Sequence, residues 1–327
     1  MLLLAIPVLT PLISIISHGE LMEWQRLEVR LPFLVTALII GFFNVNYDSL
    51  KSFKYGFVLG SLIVLSLIIA DQYTVLQIGT HSLIDFYYTP LYLAVALVFI
   101  WYKDFNANHI LKLLASAVIL AGLIWLKQPL FIASGFIICL SAIIVKGSRI
   151  QSNLAIATCV LLGVIMLYNK GAGLREYSGY SNHTMLTTSE KMEHWQCVLE
   201  VMKNKELFGV GFLTKRSAMT ACYHENGMDR SETMNFNAHN EFMDFFLTFG
   251  YIGLLLGVSY FVHGFFVAYD NKQVAFLLII ILIALFCLGE NVFTRQKGTM
   301  LTSIIFLMIY SLKGSNSTDD KNINPVT

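Results

Sequence analysis

Apolar runs of near membrane-spanning length dominate this chain, and they leave it few folds to choose from. About ten such runs recur, at roughly 2–17, 31–46, 53–70, 86–102, 110–126, 130–146, 152–168, 243–268, 274–289 and 298–312, and several approach the ~20 residues needed to cross a hydrocarbon core. Within lipid every backbone N–H and C=O must be bonded inside the protein, so each run is expected to be a helix. Apolar residues fill 56% of the 327 positions and charged residues only 13%, too few to coat a soluble domain of this length. The expected fold class is all-α: a polytopic integral membrane protein of about ten transmembrane helices. A soluble bundle of buried helices is set aside on the same hydropathy argument.

Several functions are excluded early. The net charge is +1 with no basic block, so no nucleic-acid partner is expected. The five cysteines show no ligand-like spacing, and His224-Glu225 does not continue to a HExxH helix, so no metal is expected. There is no Gly-rich nucleotide loop behind a strand, and no cofactor is implied. Cys197 and Cys222 share the long polar segment and fit either a disulfide or a pair of inert thiols. The N-terminus lacks a basic leader region and reads as a span rather than a cleaved signal.

Charge in the short loops sets the orientation. With the N-terminus in the cytoplasm, the inner segments carry Lys51, Lys54, Lys103, Lys112, Lys146, Arg149, Lys272, Lys313 and Lys321. The outer ones carry Arg26, Arg30, Lys127, Arg295 and Lys297, giving nine against five. Four regions follow. Residues 1–168 form an N-terminal bundle of about seven spans. Residues 169–240 form one long periplasmic loop, residues 241–312 the C-terminal spans, and residues 313–327 a disordered cytoplasmic tail. The protein is therefore expected in a bacterial inner membrane, multi-pass, with both termini inside.

Within the long loop, Met192, Trp195, Leu199 and Met202 recur at helical spacing, with Ser189 as N-cap. This amphipathic helix is expected to lie on the bundle or in the lipid interface and to end at Gly209 and Gly211. Residues 212–237 have no clear period and read as an irregular flap. His194 reads as a surface residue.

The chemistry-bearing residues cluster where this loop meets the next apolar run. His239, in Asn237-Ala238-His239-Asn240-Glu241, opens that helix, and an imidazole at an outer membrane face is suited to take a proton. A helix start also attracts phosphate. Lys127, in Leu126-Lys127-Gln128-Pro129, falls on the same face, as an anion ligand or as a snorkelling anchor. Lys191 opposes its helix dipole, a cost that anion binding or solvation offsets. Glu290, at a span edge, is expected to pair with Arg295 or Lys191. Gly250, Gly253 and Gly257 allow close helix approach or a bend that would divide 240–268 into a short surface helix and a span.

The run Asn237-Ala238-His239-Asn240-Glu241-Phe242, continuing into Leu247-Thr248-Phe249-Gly250-Tyr251-Ile252-Gly253-Leu254-Leu255, closely resembles the O-antigen ligase and Wzy-type polymerase superfamily. Trp195 through Leu199, Leu207-Phe208-Gly209-Val210-Gly211 and the Glu290-Asn291 to Gln296-Lys297-Gly298 segment add to the likeness, the last in the form found in Bacteroidota. The similarity covers roughly residues 110–310.

The resemblance implies an inner-membrane, GT-C-like glycosyltransferase. Its donor would be an undecaprenyl-diphosphate-linked glycan and its acceptor a glycan or lipid A-core, with membrane lipid around it. The family histidine maps to His239. Two family basic residues map to Lys127 and Lys191 as diphosphate ligands. Both are arginine in the family, so the bidentate fork is lost here while the charge is kept. The chain has about ten spans against the family's twelve or so, the difference falling N-terminally.

The expected chemistry is a metal-independent inverting transfer. His239 takes the acceptor's proton, Lys127 and Lys191 stabilise the leaving diphosphate, and Asn240, Glu290 and Arg295 orient or support. A polymerase acting on the next lipid-linked repeat unit is the first expectation. The alternatives are an O-antigen ligase acting on lipid A-core and a lipid-linked oligosaccharide transporter or flippase. A transporter would place ionisable groups mid-span, and few lie there.

Overall fold

The computed structural model describes residues 7–9, 29–42, 47–73, 88–102, 107–126, 129–146 and 188–319. Their regular structure is all helix, joined by turns and loops, with no strand among the described residues. In chain order the helices are α1 (Leu31–Phe42), α2 (Tyr47–Tyr73), α3 (Thr89–Tyr102), α4 (His109–Trp125), α5 (Pro129–Lys146), α6 (Thr188–Met202), α7 (Thr214–Glu225), α8 (Asp229–Met234), α9 (Glu241–Asp270), α10 (Val274–Cys287) and α11 (Gln296–Asp319). Two stretches, Ser52–Ala70 within α2 and the whole of α9, are long and apolar enough to cross a membrane, and five shorter apolar helices accompany them. The expected span at 152–168, and nearly all of that at 2–17, lie outside the described residues.

Two compact units divide the chain: residues 51–185, and residues 1–50 together with 186–327. In the first, α3 is buried along its whole length and packs on α4 and α5. A buried polar bond runs from Trp101 Nε1 to Ser116 Oγ at 2.8 Å, so the indole N–H does not enter the apolar core unpaired.

The second unit holds the loop and the C-terminal helices. Here α9 packs against α6, α10 and α11, and α1 packs along α11. An aromatic cluster fills its centre. Phe293 lies 4.8 Å from Phe33, 5.6 Å from Tyr260 and 5.9 Å from Phe261, and Tyr260 stacks on Phe306. Edge-to-face and offset contacts of this kind add to what burial of the rings already contributes.

Three expectations are corrected. Residues 212–237 are not an irregular flap: α7 and α8 occupy most of them, and Met219, Cys222 and Tyr223 enter a small core with Cys197, Val198, Met202, Ala238, Phe246 and Leu247. Short helices with few apolar positions leave no long period to read. Ser189 lies inside α6, whose described part begins at Thr188, and α6 ends at Met202, before the glycines. The last helix, α11, runs from Gln296 to Asp319.

The expected bend is present at Gly250, where φ is 67° and ψ −156° inside α9. Only glycine adopts that conformation at low cost. The turn before Val210 fills the break: Tyr251 N–H bonds Glu206 O at 2.8 Å, Val210 N–H bonds Leu247 O at 2.9 Å, and Gly211 N–H bonds Thr248 O at 3.1 Å. The two backbones touch. A Cβ on Gly250 would lie 2.3 Å from the Leu207 carbonyl, and one on Gly209 would lie 2.5 Å from that of Thr248. Gly250→Ala is therefore expected to lose about 1–3 kcal/mol from backbone conformation alone, and more from the clash. Its thermal midpoint in detergent should fall well below that of the parent protein, and an equal midpoint would show that the bend does not need glycine.

Candidate functional site

His239 stands between two helices that do not reach it. Ala238 before it accepts the Trp195 indole N–H at 3.0 Å, which ties the approach to α6. Asn240 after it caps α9, its Oδ1 accepting from Phe242 N at 2.9 Å and Met243 N at 3.1 Å. Between them His239 takes a left-handed φ of 46°, steadied by a bond from its N–H to Asn237 Oδ1 at 3.0 Å. Non-glycine residues in that region are uncommon and cluster where surrounding structure over-determines them.

What over-determines this one is a ladder of contacts with the loop between α10 and α11. His239 Nδ1 meets Glu290 Oε2 at 3.1 Å. Asn240 N–H donates to Asn291 Oδ1 at 3.1 Å. Glu241 Oε2 accepts from Phe293 N–H at 2.9 Å. Consecutive residues of one segment thus pair with near-consecutive residues of another, and Phe293 roots the second segment in the aromatic cluster.

Lys191 completes the group from α6. Its Nζ donates to Glu290 Oε1 at 2.9 Å and to Gly289 O at 2.6 Å. Burial alone would raise the Glu290 pKa, but the hydrogen bond and charge of His239, together with the Lys191 ammonium, outweigh it and hold the carboxyl below its ordinary value. An ionised carboxylate only accepts, so in the neutral form of the ring Nδ1 carries the hydrogen and Nε2 keeps the lone pair. The imidazole is thereby set to receive a proton at Nε2.

The site residues expected from sequence divide as follows. His239, Glu290 and Lys191 come together. Lys127 lies outside the described residues. Asn240 caps the helix and holds Asn291, and Glu290, not Asn240, contacts the ring. Arg295 has an exposed side chain, and the ion pairs of Glu290 run to Lys191 and His239 instead. Of the N–H groups expected at the start of α9 as an anion site, those of Phe242 and Met243 are taken by the Asn240 side chain.

Three groups are not evident from sequence. Arg30, only 2% exposed, donates to Pro7 O at 3.0 Å and lies over the Phe212 ring at 5.1 Å. Lys215 pairs with Asp244 and faces the same ring at 5.3 Å. Arg30 and Lys215 both feel the Glu241 and Asp244 carboxylates at the start of α9. Two acidic residues three apart on a buried helix start were the available signal, since such charges need cationic partners.

His194 is the third, and its expected surface position is corrected. It is fully buried, bonded through Nε2 to Ser231 Oγ at 2.8 Å, with its ring tilted against those of Tyr223 at 4.9 Å and His239 at 6.0 Å. Packing of α7 and α8 over α6 buries it. Cys197 and Cys222 are joined as a disulfide that clips α6 to α7, which decides between the disulfide and the inert thiols.

Burial first, and then the neighbouring His239 imidazole, lower His194 to about 4. Its folded pKa lies below the unfolded value near 6.5, so the folded state prefers the neutral ring. Stability is fully present above pH 6.5 and declines as pH falls toward 4, by about 1.4 kcal/mol per pH unit. His194→Gln should flatten that part of the slope when thermal stability is followed from pH 7 to pH 4.5. An unchanged slope would place the acid sensitivity elsewhere.

The O-antigen ligase family profile matches residues 75–258, more than half of the chain and a stretch that includes Lys127, Lys191, Lys215 and His239. No curated protein matches the chain. The histidine segment at the start of α9, the glycine pair at its bend and the family match agree, and the chain belongs to the O-antigen ligase family.

Proposed function

We propose that this protein is a GT-C-like glycosyltransferase of the bacterial inner membrane. It would transfer a glycan from an undecaprenyl diphosphate to an acceptor hydroxyl at the outer face. The observation that carries the reading is the Lys191–Glu290–His239 array, which fixes the imidazole with Nε2 free. The Cys197–Cys222 disulfide supports an outer location for the loop, because such bonds persist in oxidising compartments. The polytopic architecture of about ten spans with a periplasmic loop at 169–240 belongs to the same proposal.

In the proposed step the acceptor oxygen attacks the anomeric carbon from the face opposite the diphosphate. The new glycosidic C–O bond forms as the bond to the diphosphate oxygen breaks, which inverts the centre. The acceptor proton passes to His239 Nε2, and the polyprenyl diphosphate leaves with the bonding pair. Diphosphate leaves readily, so the step needs neither a metal nor an acid on the leaving group. Glu290 stabilises the imidazolium as it forms, as a carboxylate does behind a histidine base. Lys191 spends two of its three N–H donors on Glu290 and Gly289, and the third is assigned to the diphosphate. Lys127 is assigned to the same anion.

Two acceptors fit this chemistry. Polymerisation onto the next lipid-linked repeat unit is the first reading. The second is transfer to lipid A-core, and the family match is compatible with both. Loss of a polymerase leaves single repeats on the cell surface, and loss of a ligase leaves lipid-linked chains that never reach it.

His239→Ala should abolish transfer by purified protein given lipid-linked repeat units, with membrane insertion intact. Glu290→Gln should retain the fold and lose on the order of 10²-fold, the lower end of what a positioned base contributes. Full transfer by His239→Ala would remove the base from the mechanism.

A further inference from the structure

The turn that fills the bend in α9 has an outer surface that the proposed chemistry does not use. Its backbone is bonded to α9 on both sides of Gly250. Its tip, Leu207-Phe208, is turned outward, with Phe208 63% exposed. Just before it, Lys203, Asn204 and Lys205 are exposed as well.

This tip continues an apolar stripe. Beyond Gly250, α9 exposes Tyr251, Leu255, Val258, Val262, Phe266 and Tyr269, spaced by three and four residues along one face, with Leu255 the most open at 70%. The helix from Tyr251 to Asp270 is roughly 20 residues, which at 1.5 Å per residue is about 30 Å, the thickness of the hydrocarbon core. A tyrosine stands at each end of the stripe. Paired interfacial aromatics of that kind mark the two edges of a bilayer. Tyr251 N–H is bonded to Glu206 O, so Leu207 and Phe208 sit at the edge that Tyr251 marks.

We infer that the 203–208 turn is a membrane-interface anchor: Leu207 and Phe208 enter the acyl region of the outer leaflet, and Lys203 and Lys205 meet lipid phosphates. The partner is the bilayer itself. Continuity with the apolar face of a spanning helix argues for it, and so does the order of the chain, cations first and apolar tip next. Lysines beside an apolar tip gain from anionic headgroups while their stems cover apolar surface. The anchor fixes the depth of α9 at its bend and so fixes the height of the segment that carries His239. The inference rests on the proposed membrane location and not on the transfer chemistry.

The test uses the full chain in vesicles of phosphatidylethanolamine and phosphatidylglycerol. A nitroxide is attached at Phe208→Cys, at Leu255→Cys as the acyl reference and at Ser217→Cys as the aqueous reference. Collision rates are compared for oxygen and for a water-soluble nickel chelate. At 208 oxygen should dominate, as at 255, while the chelate dominates at 217. Lys203→Glu/Lys205→Glu should move the 208 label toward the aqueous value. A 208 label as open to the chelate as that at 217 overturns the anchor. The same measurement on His239→Ala separates the two ideas: loss of transfer with an unchanged depth at 208 leaves the anchor standing, and a wet 208 label in a protein that still transfers glycan sinks the anchor alone.

Discussion

The site depends on the pairing of residues 239–241 with residues 290–293. Three bonds of 2.9–3.1 Å join them across about fifty residues of chain. Each is set in a place where the alternative is costly. Asn240, Glu241 and Asn291 are almost fully buried, so an unmade bond there would forfeit solvation without return. The ladder also explains the left-handed backbone of His239. Strain of that kind survives only where several contacts insist on it, and here the Asn237 side chain, the Asn240 cap and the Glu290 carboxylate all do. Phe293 makes the arrangement rigid by committing the far side of the ladder to the aromatic cluster.

Charge is distributed with the same economy. Two buried or half-buried charged groups lie beside the start of α9, and in each cations face carboxyl groups. Lys191 and Glu290 offset one another, and a proton arriving on His239 would meet a carboxylate already in place. Arg30 and Lys215 face Glu241 and Asp244. Burying ions is expensive, and removing one partner leaves the other uncompensated. The second group therefore reads as a clasp: Lys215 holds α7 to the first turn of α9 through Asp244, and Arg30 holds the segment before α1 to Pro7 O and the Phe212 ring. Phe212, lying under both cations, adds cation–π attraction to that clasp.

The sequence was most legible where its periodicity was strongest. The apolar runs located α1 to α5 and α9 to α11, though α2 starts earlier, at Tyr47, and α11 runs on to Asp319, because a helix buried in apolar surroundings announces itself by composition alone. His239 and Glu290 were also readable, since an ionisable group at the edge of an apolar run has few reasons to be there, and Lys191 was readable because a cation at a helix start opposes the dipole. What stayed hidden depended on contacts distant in sequence. Arg30 lies more than two hundred residues from Asp244, and no local pattern connects them. His194 looks like a surface residue until α7 and α8 cover it, and those helices carry too few apolar positions to show a period. Asn240 is legible as part of the histidine motif, and its preference for the N-cap is realised in the bonds it accepts from Phe242 and Met243 N–H, while Glu290 is the residue that meets the His239 ring.

The bend at Gly250 ties these observations together. A straight α9 would run its acidic first turn and its apolar remainder along one axis. The break at glycine separates a short helix bearing Glu241 and Asp244 from a segment of spanning length, and the turn at 206–211 repairs the backbone bonds that the break exposes. That repair requires two backbones in contact, hence glycine at both 209 and 250. The Leu-Phe-Gly-Val-Gly and Phe-Gly-Tyr-Ile-Gly motifs, far apart in sequence, are two halves of one joint. Their shared geometry couples the outward tip of the turn to the helix start that carries the ladder, so whatever sets the height of one sets the height of the other.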